Sequence, residues 1–91
     1  MRFAWDPVKA RTNVRKHDVT FEEATTVFAD PLALIVDDEL HPDRAIIVGE
    51  SARQRVIVAV FVEIDEDAVR LISARRTTNQ ERRRYDGGEE A

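Results

Sequence analysis

The chain opens on a short alternation, Phe3-Ala4-Trp5, followed by a helix-start signal at Asp6-Pro7. Asp6 offers a carboxylate to the first free N–H groups, and proline at the first helical position has no N–H to leave unmet. The spacing predicts a short strand and then a helix running to about His17. A second start lies at Val19-Thr20-Phe21-Glu22-Glu23-Ala24. Thr20 and Glu23 have the spacing of a capping box, and Val19 is placed to pack on Ala24. Phe21, Ala24 and Phe28 fall at i, i+3 and i+7, which turns one face of this helix onto a core. Asp30-Pro31 ends it.

From there the period changes. Residues 32–36, 45–48, 56–62 and 69–74 are short runs rich in β-branched side chains, separated by charged turns. Seven consecutive apolar residues at 56–62 predict a central strand covered on both faces. The connections have hairpin length and predict antiparallel pairing. A last capping box, Thr78 with Glu81, starts a short helix stopped by Gly87-Gly88. The order is β-α-α-β-β-β-β-α, an α+β domain with its helices packed on one antiparallel sheet.

Length and composition narrow the class. Ninety-one residues, 43% of them hydrophobic and 35% charged, allow one domain, and a chain of this size buries only about 60–65% of its unfolded surface. Residues 1–86 are expected to form that domain, with a frayed tail at 87–91. The absence of cysteine excludes disulfides, a thiol nucleophile and thiolate metal sites. No apolar run is long enough to span a bilayer, and charge interrupts the start before a signal-like stretch forms. A soluble, cytoplasmic protein with no membrane partner is expected.

The net charge of −4 conceals segregation. Between residues 2 and 16 five bases face Asp6 alone; between 18 and 50 nine acids face Arg44 alone; between 70 and 84 six arginines face only Glu81. An acidic protein with two basic blocks is a poor general polyanion binder, but the blocks make one local anion site if folding unites them. Otherwise they are a solvated, mixed-charge surface.

Candidate chemistry is sparse. His17 and His41 are far apart, and consecutive Asp37, Asp38 and Glu39 would point to alternate faces of a strand, so they read as a solvated acidic turn and no metal is expected. Neither a glycine-rich phosphate loop nor a Gly-x-Ser-x-Gly elbow is present. The last helix, Asn79-Gln80-Glu81-Arg82-Arg83-Arg84-Tyr85, has little apolar surface to bury, and its three arginines repel one another. An anion or an acidic partner meeting Arg82 or Arg83 would supply the missing stabilisation. Arg75 and Arg76 point to opposite faces of their strand, so one is placed over a cleft and the other in solvent, unless both are ordinary strand-end cations. His17 ends the first helix, where a cation complements the helix dipole. It is either a structural residue there or a general acid or base, with Asp18 placed to hold the ring tautomer. Trp5 reads as a core or partner contact rather than a surface on which bases stack.

The residues Phe3-x-Trp5-Asp6, Lys9, Asn13, Lys16-His17, Phe21-Glu22-Glu23-Ala24, Val27-Phe28 and Asp30, then Ile72-Ser73-Ala74-Arg75-Arg76, Glu81-Arg82 and Tyr85, together resemble the BrnT family of toxins from type II toxin–antitoxin systems. The resemblance runs through almost the whole chain. One departure is Asp18, where the family often carries glycine after Lys-His. The resemblance implies a compact RelE-like fold and a ribonuclease that blocks translation. It also implies neutralisation by a BrnA-type antitoxin with a ribbon-helix-helix domain, in a complex that contacts DNA only through the antitoxin.

RNA carries its own nucleophile, the 2′-OH, so such an enzyme needs a base, an acid and fixed cations, with no cofactor. On this reading Lys16, His17, Arg75 and Tyr85 are the catalytic set: His17 as base or acid, Lys16 and Arg75 on the phosphate, and Tyr85 as proton donor or stacking surface. Lys9, Arg15, Arg76, Arg82 and Arg83 hold the RNA backbone, and Glu22 and Glu81 each orient a cation. The assignment requires the early and late basic blocks to meet at one pocket. The alternative is a non-catalytic module that holds a DNA-binding antitoxin in an autoregulatory complex.

Overall fold

A computed structural model describes residues 1–87; Gly88 and the rest of the expected tail lie outside the described residues. The elements are β1 (Arg2–Ala4), α1 (Pro7–His17), α2 (Phe21–Val27), β2 (Leu34–Asp37), β3 (Ala45–Glu50), β4 (Val56–Asp65), β5 (Ala68–Arg76) and α3 (Asn79–Tyr85). Their order is the one the sequence predicts. The five strands form one sheet, β1-β5-β4-β3-β2, with β4 in the middle. The three hairpins from β2 to β5 are antiparallel, as their short connections require. The sheet as a whole is mixed, which corrects the all-antiparallel expectation: β1 runs parallel to β5, with Phe3 opposite Val69. Two helices and three strands separate β1 from β5, so no local signal reveals this pairing. It is fastened by the Arg2 N–H donating to the Asp67 carbonyl at 2.7 Å and by an Arg2–Asp65 ion pair at 2.9 Å.

The core lies between one sheet face and α2. Val19, Phe21, Ala24 and Val27 meet Ile47, Ile57, Ala59, Phe61, Leu71 and Ala74, all essentially buried. Phe3, Phe28 and Phe61 form an edge-to-face chain with centroids 5.2 and 5.1 Å apart, and Trp5 packs edge-on against Phe21. The end of α2 presses so closely on β3 that a Cβ at Gly49 would sit 2.9 Å from a methyl of Val27. Only glycine leaves room there.

All three predicted helix starts hold, and the two predicted capping boxes differ. At α3 the capping box is complete: Thr78 Oγ1 accepts from the Glu81 N–H and the Glu81 carboxylate accepts from the Thr78 N–H. At α2 only half forms. Thr20 accepts from the Glu23 N–H at 2.9 Å, but the Glu23 carboxylate turns away to Arg55 and Ser51. A guanidinium outcompetes a backbone N–H for a buried carboxylate, because charge-assisted bonds are the stronger kind.

A bulge in β5 decides which arginine goes where. Val60 pairs with Ser73 and Phe61 with Leu71, leaving Ile72 as the extra residue. Leu71 and Ala74 therefore both face the core, Arg75 turns to the other sheet face beside Val58, and Arg76 stands opposite Ile57. With regular alternation the two arginines would exchange faces.

Candidate functional site

Helix α1 is poor in apolar residues and docks through one buried amide. Asn13 donates to the carbonyls of Ala74 (2.7 Å) and Val19 (2.9 Å) and accepts from the Ala74 N–H (3.1 Å). It thereby satisfies the edge of β5 just beyond the point where β1 stops pairing. This brings the basic end of α1, Arg15-Lys16-His17, toward the carboxyl end of β5. Asp18 closes the helix in the left-handed conformation (φ 57°), its N–H bonded to the Val14 carbonyl. Aspartate adopts this conformation more readily than most residues, and here Arg55 secures it by donating to the Asp18 carbonyl at 2.9 Å. The same guanidinium pairs with Glu23. Arg55 lowers the Glu23 carboxyl below the usual glutamate range, and Glu23 raises Arg55. Sequence reasoning did not single out Arg55, which staples the α1–α2 corner to the start of β4.

Beside this staple lies a polar cleft of about 190 Å³. It is lined by Arg55, Arg76 and Arg82, by Gln54, Thr77, Thr78 and Asn79, and by Val56. Three cations and several neutral hydrogen-bonding groups face it, and among the described residues no acid does. Among the described residues Arg76 has no ion-pair partner, and Arg82 pairs with Asp86 at 3.4 Å. Such a lining suits an anion with several acceptor oxygens.

Arg75 goes elsewhere. Its fork is occupied by the Glu81 carboxylate through two bonds of 2.8 and 2.7 Å. This bidentate pairing, with the Thr78 N–H, pulls Glu81 down to about 2. Arg75 and Glu81 line a different groove of about 230 Å³, floored by Leu34, Val36, Ile46, Val48 and Val58 and flanked by Arg84. Tyr85 reaches past the sheet and donates its hydroxyl to Asp30 at 2.5 Å. That bond pushes the phenol up to about 12; the Glu50 N–H and the Tyr85 hydroxyl together hold Asp30 below the ordinary aspartate range.

The predicted site residues therefore separate into groups. Arg76 and Arg82 share the cleft; Arg75 and Glu81 share the groove; Tyr85 is latched to Asp30. Lys16 and His17 are exposed at the end of α1 and line neither cavity, so His17 and Arg75 do not share one pocket. Lys9, Arg15 and Arg83 are exposed. Glu22 is corrected: it is exposed and pairs with no cation among the described residues, and the carboxylate that does so from α2 is its buried neighbour Glu23. Asn13 and Asp30 stand among the words of the resemblance, but nothing in their spacing disclosed what they hold. Among the described residues no three of His, Asp or Glu gather in a way that holds a metal ion, and no helix is long and apolar enough to cross a membrane.

A mixed five-stranded sheet with three helices and an arginine-lined cleft defines a class, and comparison names it. The model of the family described as the ribonuclease toxin BrnT of type II toxin–antitoxin systems matches residues 5–81, and the chain belongs to that family. Among solved structures the chain is similar to the ribonuclease toxin BrnT of Brucella abortus, determined at 1.1 Å. The TM-score is 0.71 and the identity 25%, over 87% of this chain and 99% of that one. No curated protein sequence matches it. Membership implies RNA as the substrate and an antitoxin as the partner. Arg82 and Tyr85 lie just beyond the matched residues.

Proposed function

We propose that this chain is an endoribonuclease that cleaves RNA without a metal ion, in the cytoplasm, and so inhibits translation. The 2′-OH loses its proton and attacks the adjoining phosphorus; the bond to the 5′ oxygen breaks and that oxygen takes a proton. The products are a 2′,3′-cyclic phosphate and a 5′-hydroxyl. The observation that carries the reading is the cleft of Arg55, Arg76 and Arg82, which no acid lines among the described residues, beside the basic end of α1. Cations fixed in this way stabilise phosphate charge with little reorganisation during the reaction.

The roles divide across the carboxyl end of β5. Arg76 and Arg82 hold the RNA backbone in the cleft, with Lys9, Arg15 and Arg83 extending the path. His17 serves as base or acid with Lys16 beside it. Arg75, its fork held by Glu81 on the opposite sheet face, does not share the cleft. Its phosphate role is confined to a different part of the RNA backbone, through the surface it has left exposed after pairing. Tyr85, whose proton is committed to Asp30, fits a stacking surface better than a proton donor. A BrnA-type antitoxin with a ribbon-helix-helix domain neutralises the toxin, and DNA is contacted only through it.

Antitoxin-free protein incubated with messenger RNA in excess EDTA tests this. Cleavage is expected to continue and to leave cyclic phosphate ends, and His17→Ala is expected to stop it while the protein still binds antitoxin. Activity lost in EDTA and restored by magnesium contradicts the mechanism. Intact RNA together with tight antitoxin binding replaces the enzyme with a binding module.

A further inference from the structure

At the far end of the sheet, β2 is an edge strand with no partner on its outer side among the described residues. Leu34, Ile35 and Val36 are 46%, 62% and 55% exposed, and the strand carries none of the lysines, prolines or bulges that usually blunt such an edge. Its side chains open onto two hollows. Ile35 pairs with core-facing Ile47 and lines a cavity of about 220 Å³ together with Phe28, Phe61 and Val69, whose polar wall includes Glu63 and Glu66. Leu34 and Val36 turn to the opposite face and line the groove beneath α3. Asp37 ends the strand, and Asp37, Asp43 and Glu63 share a neighbouring hollow with Arg44. Glu63 and Glu66 have no ion-pair partner among the described residues.

We infer that the outer edge of β2 is where the antitoxin docks, through an extended segment of alternating apolar side chains flanked by lysine or arginine. This rests on the toxin–antitoxin reading. The added strand completes the backbone bonds of β2. It drops alternate apolar side chains over Ile35 on one face and over Leu34 and Val36 on the other. Charge selects this occupant over a second copy of the chain: self-pairing would gather the same acids around the joint, whereas a basic segment meets Asp37, Glu63 and Glu66 with opposite charge. Through β3 the edge lies level with Val58–Phe61 of β4, two strands across, while the arginine cleft lies at Val56 beside Arg76. The segment would therefore leave Arg76 and Arg82 uncovered in the cleft while its Leu34–Val36 face lies beside Arg75 in the groove.

The test measures binding of the antitoxin encoded beside the toxin gene to three full-length proteins: wild type, Ile35→Lys and the pair Glu63→Gln/Glu66→Gln. Ile35→Lys is expected to weaken the complex about tenfold or more while RNA cleavage is unchanged. The glutamine pair is expected to weaken it about threefold and to flatten its salt dependence. Antitoxin affinity within about twofold of wild type in both variants overturns the inference. So does an Ile35→Lys protein that loses only self-association, which assigns the edge to a second copy. A wild-type protein that binds no antitoxin removes the toxin–antitoxin reading itself, a result distinct from the failure of the variants alone.

Discussion

Tyr85 is the only tyrosine in the chain, so its ionisation can be followed without interference from another phenol. Its hydroxyl is the hinge pin between α3 and the turn after α2, donated to an aspartate that also caps the Glu50 N–H. The folded phenol titrates near 12, above the ordinary 10. A pKa raised by folding means the latch contributes stability fully below pH 10 and loses it as pH rises through about 12. Ultraviolet titration of tyrosinate is expected to give a midpoint near 12 in the wild type and a return toward the ordinary value in Asp30→Asn, which keeps the side-chain volume but removes the charge. Equal midpoints would show that Tyr85 is not latched in solution. The same logic sets Arg55 apart from its neighbour Arg53: Arg55 is fixed at three acceptor positions on Glu23 and Asp18, while Arg53 reaches Glu23 only at 3.8 Å and stays largely exposed.

How the helices are fastened to the sheet explains which parts of the structure local pattern can reveal. Helix α1 contributes little apolar surface; Asn13 replaces it by completing the edge of β5 at Ala74. Asn13→Ala leaves the Ala74 N–H and two carbonyls short of partners in a buried place, so a loss of about 2–3 kcal/mol is expected in urea unfolding. A loss near zero would mean water reaches these groups. The caps at Asp6, Thr20 and Thr78 and the hairpin order were legible because each is written within a few residues. The parallel pairing of β1 with β5 was not, because it joins residues more than sixty apart. Nor was the bulge at Ile72, and it redistributes the site: one extra residue sends Arg76 to the cleft and Arg75 to Glu81. Reading alternation through β5 could establish that the two arginines diverge but not which one finds the cleft. Glu22 and Glu23 show the same limit, since neither adjacency nor helical spacing says which of two carboxylates a distant arginine will claim.

Over the molecule as a whole, folding turns a segregated sequence into a bipolar surface. The amino end of β4 carries Arg55, with Arg76 and Arg82 around it; its carboxyl end carries Glu63, with Glu66 and Asp37 nearby. The protein is acidic overall; on the proposed reading RNA meets it at the basic pole and a basic antitoxin segment at the acidic pole. Such an arrangement would let a net-negative toxin hold a polyanion locally without becoming a general nucleic-acid binder. If the cleft at the basic pole grips the RNA backbone, its arginines release counterions when RNA binds, and the salt dependence of binding counts them. RNA affinity should therefore be measured across a range of salt for the wild type and for Arg76→Gln/Arg82→Gln. The expected result is weaker binding in the variant and a log–log slope shallower by about 1 to 1.5, the share of two phosphate contacts on single-stranded RNA. An unchanged slope with unchanged affinity would place the RNA elsewhere on the protein.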